Sequence, residues 1–233
     1  MNYSDVLTTL FLSVRIALLA TALNLPAALL MVYYTRHEFR GKNLLDGFIN
    51  LPLVMPPVTT GYLLLLLLGR RGFLGSFFDN FFGIRIAFTS AAAVIAAMVV
   101  SYPLIVRSIR ISMDMVDPRY ERAALTLGAD KKAVFFRITL PLILPGVISG
   151  VVLGFARSLG EFGATVTFAG NIEGISRTIP LSVYSLLQVP GKEKEAGFLV
   201  LLSVLISFAA MFTSSSLNQK LLKRRLYRNE SSI

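Results

Sequence analysis

Long apolar stretches alternate with short polar ones along this chain, and the polar ones carry most of its charge. Five apolar stretches reach the length that a membrane-crossing helix needs, about 20 residues. They cover about 6–34, 44–68, 88–106, 141–170 and 196–217. The segment AGFLVLLSVLISFAAMF, residues 196–212, is apolar on every helical face. Such a helix belongs in a membrane or deep in a large core, and a 233-residue soluble domain could not bury four or five of them. The predicted fold is an all-α polytopic membrane protein of about five transmembrane helices, one domain over residues 1–233.

The first and fourth stretches are longer than one crossing requires, so tilt or a break is expected. Leu25-Pro26 can kink the first, and Gly160 and Gly163 can break the fourth. The second opens with Leu51-Pro52 and then Met55-Pro56-Pro57. Each proline removes a backbone donor and disfavours helix in the residue before it. Broken backbone at membrane depth is tolerated only against protein or a water-filled cavity. Span two is therefore expected to line a path, with Pro56, Pro57, Thr59, Thr60 and Tyr62 along it. The alternative is a helix that starts late, with 50–57 as its entry loop.

Charge sets the orientation. Of the 23 Lys and Arg residues, fifteen fall in loop 35–43 (Arg36, Arg40, Lys42), segment 107–140 (Arg107, Arg110, Arg119, Arg122, Lys131, Lys132, Arg137) and tail 218–233 (Lys220, Lys223, Arg224, Arg225, Arg228). Six fall on the opposite side: Arg70, Arg71, Arg85, Arg177, Lys192 and Lys194. Basic residues collect on the cytoplasmic side of short loops, so the N-terminus is expected outside and the C-terminus in the cytoplasm. The net charge of +10 therefore reads as membrane topology rather than nucleic-acid binding. The start, MNYSDVLTTL, lacks a basic n-region, so no cleavable signal peptide is expected.

Two cations fall inside spans. Arg157 and Glu161 lie four residues apart, so on a continuous helix they share a face. Isolated charges there are expensive, so mutual neutralisation as a structural or gating pair is the first reading, and direct contact of Arg157 with an anion the second. Arg15 can snorkel outward or pair with a neighbour. Cys is absent, and the single histidine, His37, stands in a basic loop. Disulfides, thiol chemistry and a His-rich metal site are excluded, and no cofactor is expected. Glu161, with Asp46 near a span's start, is the sole intramembrane carboxylate, so an intramembrane enzyme is disfavoured. A passive channel fits the composition as well.

The segment DPRYERAALTLGADKKAVFFRITLP, residues 117–141, is the most specific. Asp117 can cap a short helix, with Pro118 at its first position. Glu121 lies near the positive end of that helix dipole, and Gly128 can end the helix in a left-handed conformation. Tyr120, Ala123, Ala124 and Leu127 then share one face, where the small alanines permit close approach of another surface. Asp130 can cap a second short helix, closed at the membrane by Leu140-Pro141. The result is a helical hairpin over the cytoplasmic side, within a loop spanning 107–140.

Glu121, Ala123, Ala124, Gly128, Ile138, Leu140 and Pro141 resemble the "EAA" motif of ABC importer permeases: a Glu, two small residues, a Gly, nine residues, then I-x-L-P. The resemblance implies the type I importer permease fold and a location in the plasma (inner) membrane. It also implies that residues 117–128 form a coupling helix, seated in a groove of a separate ATP-binding subunit. The coupling residues would be Asp117, Tyr120, Glu121, Ala123, Ala124, Leu127, Gly128, Ile138, Leu140 and Pro141. Implied partners are a second copy of the chain, two ATP-binding cassette subunits, an extracytoplasmic substrate-binding protein and membrane lipid. The chain has no G-x-x-x-x-G-K-[ST] phosphate loop, so a non-catalytic role with ATP hydrolysis supplied in trans is expected.

Three further stretches resemble molybdate permeases: FRGKNLLDGFINLPLVMPPVTTGYLLL (39–65), LGRRGFLGSFF (68–78) and FARSLGEFGATVTFAGNI (155–172). The last also resembles sulfate/thiosulfate permeases. Import of a tetrahedral oxyanion is implied, molybdate first, with sulfate, thiosulfate or tungstate as alternatives. Selectivity is better placed in the external binding protein, because tight binding in the path would trap the anion.

Overall fold

The structure, a computed structural model, describes residues 3–36 and 38–230, without the side chains of 3, 4, 214 and 217–230. His37 and the side chains of the basic tail therefore lie outside the described residues. The elements in order are α1 (Tyr3–Thr35), α2 (Lys42–Val54), α3 (Pro57–Leu68), α4 (Phe73–Phe82), α5 (Ser90–Asp114), α6 (Pro118–Thr126), α7 (Lys131–Val134), a π-helical turn (Phe135–Thr139), α8 (Leu140–Leu159), α9 (Gly163–Phe168), α10 (Ile179–Leu187) and α11 (Glu193–Glu230). No strand occurs among the described residues. Four helical runs are long and apolar enough to cross a membrane: Asp5–Thr35, Ser90–Asp114, Lys131–Leu159 and Glu193–Thr213. The pair α2 and α3 qualifies together as a fifth, but it is bent by 115°.

Helix α5 is the central post, packed on α8 and α1. Alanines make this possible: Ala92, Ala93, Ala96 and Ala97 are all buried. In a membrane, small residues let helix backbones approach where lipid gives no hydrophobic drive between helices. On α8 the same role falls to Gly146, Gly150 and Gly154, spaced one helical turn apart. A Cβ added at Gly146 would lie 2.1 Å from Ser112 Oγ, and one at Gly154 would lie 2.5 Å from Ile105 Cδ1.

Two apolar clusters divide the core. One joins Leu12, Ile16 and Ala20 of α1 to the start of α5 and to Ala164 and Phe168 of α9. The other joins Ala28, Val32 and Ile49 to Ile105, Ile109, Met113 and Ile143. Between them sits buried Asn24, whose Nδ2 donates to Met98 O at 2.9 Å and to Ser101 Oγ at 3.1 Å. A buried amide must find such partners, so this pair of bonds ties α1 to α5 at mid-helix.

Helix boundaries depart from the hydropathic spans in definite ways. α1 runs through Pro26 without ending. α5 continues eight residues beyond 106, carrying Arg107 and Arg110 on the helix rather than in a loop. Its apolar face continues there through Ile109 and Met113, both buried, so nothing stops the helix. The second span breaks at Met55-Pro56. The fourth breaks where the glycines predict, between Leu159 and Gly163. The short helices α4 and α10 lie outside the five predicted stretches.

Candidate coupling hairpin and path

Helix α6 is built by its caps. Asp117 accepts a hydrogen bond from Arg119 N at 2.8 Å, and Pro118 occupies the first helical turn, where its missing donor costs nothing. At the other end Gly128 takes φ +85. Its N–H donates to Leu125 O and that of Ala129 donates to Ala124 O, both at 3.0 Å. That double bond pattern around a left-handed glycine closes the helix.

The faces of α6 divide cleanly. Tyr120, Ala123 and Leu127 are exposed, Leu127 to 89%, while Ala124 is half-buried. An exposed leucine and tyrosine beside a small alanine make a surface suited to a partner. Glu121 points the other way, its side chain only 14% exposed. Its two oxygens accept from Arg36 Nη1, each at 2.9 Å, and Thr139 Oγ1 donates to Oε1 at 2.5 Å. Glu121 therefore binds α6 to the residue after α1 and to the π-helical turn that leads into α8. Arg36 also stacks over the Tyr33 ring, 5.0 Å from its centroid. Beside this tie, Arg110 donates to Asp46 Oδ1 at 2.6 Å and to Thr35 Oγ1 at 3.0 Å, joining α5, α2 and α1 at the same end.

Two details of the hairpin differ from the sequence reading. Asp130 precedes α7, but its side chain makes no capping hydrogen bond. Leu140-Pro141 does not close a helix: α7, the π-helical turn and α8 form one run from Lys131 to Leu159. In an α-helix the Pro141 ring would press on the carbonyl of Arg137. Here the ladder widens, with Leu140 N bonded to Phe135 O five residues back, and the helix passes. Ile138 and Leu140 are half-buried in this run and Pro141 is exposed.

The predicted path residues meet at a junction of two breaks. A Cβ added at Gly163 would sit 2.8 Å from Pro57 Cβ and 3.0 Å from Val58 N, so α9 begins directly against the start of α3. One at Gly61 would lie 2.6 Å from Ala164 O. Pro56, Pro57 and Thr59 are exposed, whereas Thr60 is buried. Tyr62 is also exposed.

Glu161 lies inside the second break, past the end of α8, rather than on a helix continuous with Arg157. It is 2% exposed. Arg157 Nη1 still reaches Oε2 at 2.7 Å, an ion pair whose angles fall short of a hydrogen bond. Oε1 accepts from Ala164 N at 2.8 Å and so holds the head of α9. The Arg157 side chain is 30% exposed and opens from this pair to the molecular surface. Arg15 is exposed on α1 and forms no ion pair with the described residues. No cluster of three or more metal-ligating side chains occurs among the described residues.

Sequence reasoning missed Arg36 and Thr139 as partners of Glu121, and Ala164 N as a partner of Glu161. No local signal in the sequence pairs Thr139, a buried hydroxyl one residue before Leu140, with Glu121.

Comparison with known proteins places the chain. The profile of the binding-protein-dependent transport system inner membrane component family matches residues 7–228. The molybdenum transport system permease protein ModB of Escherichia coli (strain K12) is 50% identical over 204 residues, 87% of this chain and 89% of that protein. Its namesake from Haemophilus influenzae is 47% identical over 214 residues, 91% of this chain and 93% of that one. Among solved structures, a chain of a bacterial ABC transporter involved in the import of the acidic polysaccharide alginate superposes with a TM-score of 0.73. That superposition has 12% identity and covers 94% of this chain and 80% of the other. The fold is that of ABC importer permeases, and the chain belongs to the binding-protein-dependent transport system inner membrane components.

Proposed function

We propose that this chain is the membrane-spanning subunit of an ATP-driven importer of a tetrahedral oxyanion, molybdate. One observation carries the substrate: identity of 47% and 50%, over about nine-tenths of both chains, to relatives named as molybdenum transport permeases. The exposed Tyr120, Ala123 and Leu127 face of α6 docks a separate ATP-binding subunit in the cytoplasm. Glu121 stands behind that face and passes its movement to α1 and to the run that becomes α8. The junction of Pro56, Pro57, Thr59 and Thr60 with Arg157 and Glu161 lies at the far end of that run and forms the gate region. Two copies of the chain and two ATPase subunits make the transporter, closed by two-fold symmetry. An extracytoplasmic binding protein delivers the anion.

The orientation follows from charge. Arg36, Arg110, Lys131 and Lys132 gather at the end that carries the coupling hairpin, which is the cytoplasmic one. The C-terminal tail lies on that side and the N-terminus on the other. Molybdate, tungstate and sulfate share charge and shape, so lining residues discriminate little and the binding protein does the sorting.

The test is uptake into vesicles holding the chain, its ATPase and its loaded binding protein. ATP-dependent molybdate accumulation, competed by tungstate and far less by sulfate, is the expected result. Accumulation of sulfate in preference to molybdate overturns the substrate assignment and leaves the family untouched.

A further inference from the structure

Beside the coupling hairpin runs a second feature that the coupling role does not use. A groove of about 490 Å³ lies along the outer side of α1, between it and the run entering α8. Its floor is Pro26, Leu29 and Leu30 of α1 and Leu140 of α8. Leu30 and, on the opposite wall, Phe136 are largely exposed, so the groove is open along its side. Its mouth is different: Lys131 and Lys132 stand there with Tyr33 and Tyr34.

The geometry points to an anionic phospholipid of the cytoplasmic leaflet as the occupant, its acyl chain along Leu29 and Leu30 and its headgroup phosphate on Lys131 and Lys132. The floor belongs to a helix long and apolar enough to cross the bilayer, so hydrocarbon meets it on the open side. From Pro26 to Tyr34 the groove is about 12 Å long, at 1.5 Å rise per residue. That is a fit for part of one acyl chain. The tyrosines lie at the level where aromatic rings settle between hydrocarbon and water. Neither lysine forms an ion pair with the described residues. Of the neighbouring acids, Glu121 is already held by Arg36 and Thr139, which leaves Asp130 against two ammonium groups. A net positive mouth above an apolar slot at the membrane surface selects an anionic amphiphile.

The site touches the coupling apparatus directly, because Phe135 and Phe136 line the groove and belong to the π-helical turn that carries Thr139. A bound lipid braces the turn through which Glu121 acts. The placement at the cytoplasmic leaflet rests on the orientation proposed above.

The experiment uses the transporter assembled with its ATPase, purified from membranes and placed in nanodiscs of phosphatidylcholine with or without phosphatidylglycerol. Native mass measurement counts retained lipid, and ATP hydrolysis is read alongside. Phosphatidylglycerol should be retained over phosphatidylcholine, and Lys131→Gln with Lys132→Gln should lower its retention by about fivefold per lysine. Arg70→Gln with Arg71→Gln removes the same charge at the other end and should change nothing. Equal retention of both lipids, or unchanged phosphatidylglycerol retention in the lysine variant, overturns the site. So does loss of the ATPase subunit with lipid retention intact, because the lysines then serve protein docking. Lipid retention is read without any transported anion, so failure of the molybdate assignment leaves this result standing.

Discussion

Arg36, the residue after α1, gives both carboxylate oxygens of Glu121 a hydrogen bond from a single nitrogen, each at 2.9 Å. The two residues are 85 positions apart. With Thr139 on the other side, Glu121 is a fixed point at which α6, α1 and the run into α8 meet. The motif's carboxylate thus acts inward, and the exposed face of α6 is left to its neighbours on the helix.

Removing that carboxylate should uncouple without unfolding. Hydrogen bonds to charged groups are worth about 1.5–3 kcal/mol, so Glu121→Ala should lower coupled uptake by roughly tenfold or more. Arg36→Ala should do less, since Thr139 still holds Oε1. Membrane insertion should be unchanged for both. Parental uptake by Glu121→Ala would remove Glu121 from the coupling route.

Gly128 offers a test with little steric complication inside this chain, because an added Cβ meets nothing within 4 Å. The effect of Gly128→Val is expected to come chiefly from φ +85, a region that costs a side-chain-bearing residue about 1–2 kcal/mol. Val should weaken ATPase co-purification or uptake more than Asn, which tolerates the left-handed region. Ala123→Leu, on the exposed face, should weaken the same readouts with α6 intact. Full ATPase retention and parental uptake in all three would make residues 117–128 a plain linker.

Arg157→Ala leaves Glu161, 2% exposed, without its counter-charge. Breaking a fully buried pair costs about 3–5 kcal/mol, and the loss here should be smaller because Arg157 is 30% exposed. Arg157→Ala with Glu161→Gln should be the more stable variant in detergent melting, because the neutral amide oxygen can still accept from Ala164 N. Equal melting temperatures for the single and double variants would argue that the pair contributes nothing.

The α8–α5 contact should tolerate almost no added volume. Gly146→Val would drive carbon into Ser112 and against Ser108 O, so low yield and a lowered melting temperature are expected. Gly150→Ala, where the nearest atom stands at 3.3 Å, should be clearly milder. Reversal of that order, measured by thermal unfolding in detergent, would mean that the two helices separate more easily than their packing implies.

Features encoded locally were legible in the chain. Asp117-Pro118 and Gly128 mark the two ends of α6 by their own chemistry, and the apolar windows mark the long helices. Gly160 and Gly163 marked the break in the fourth. What depended on distant partners was not legible: no local pattern joins Glu121 to Arg36, or the glycines of α8 to α5. Helices α4 and α10, of 10 and 9 residues, are too short for a hydropathy window. Pro141 reads as a helix end because a proline usually stops a helix, and the π-helical turn that accommodates it has no signature of its own.

The continuous run from Lys131 to Leu159 has a mechanical consequence. It meets α5 through Gly146, Gly150 and Gly154, and from the middle glycine it extends about 28 Å toward Lys131 and about 14 Å toward Leu159 at 1.5 Å per residue. Turned there as one body, the run would deliver a sideways stroke at the hairpin end to the neighbourhood of Glu161 reversed in direction and about halved in size. In such a turn a push inward at one end would be a smaller withdrawal at the other.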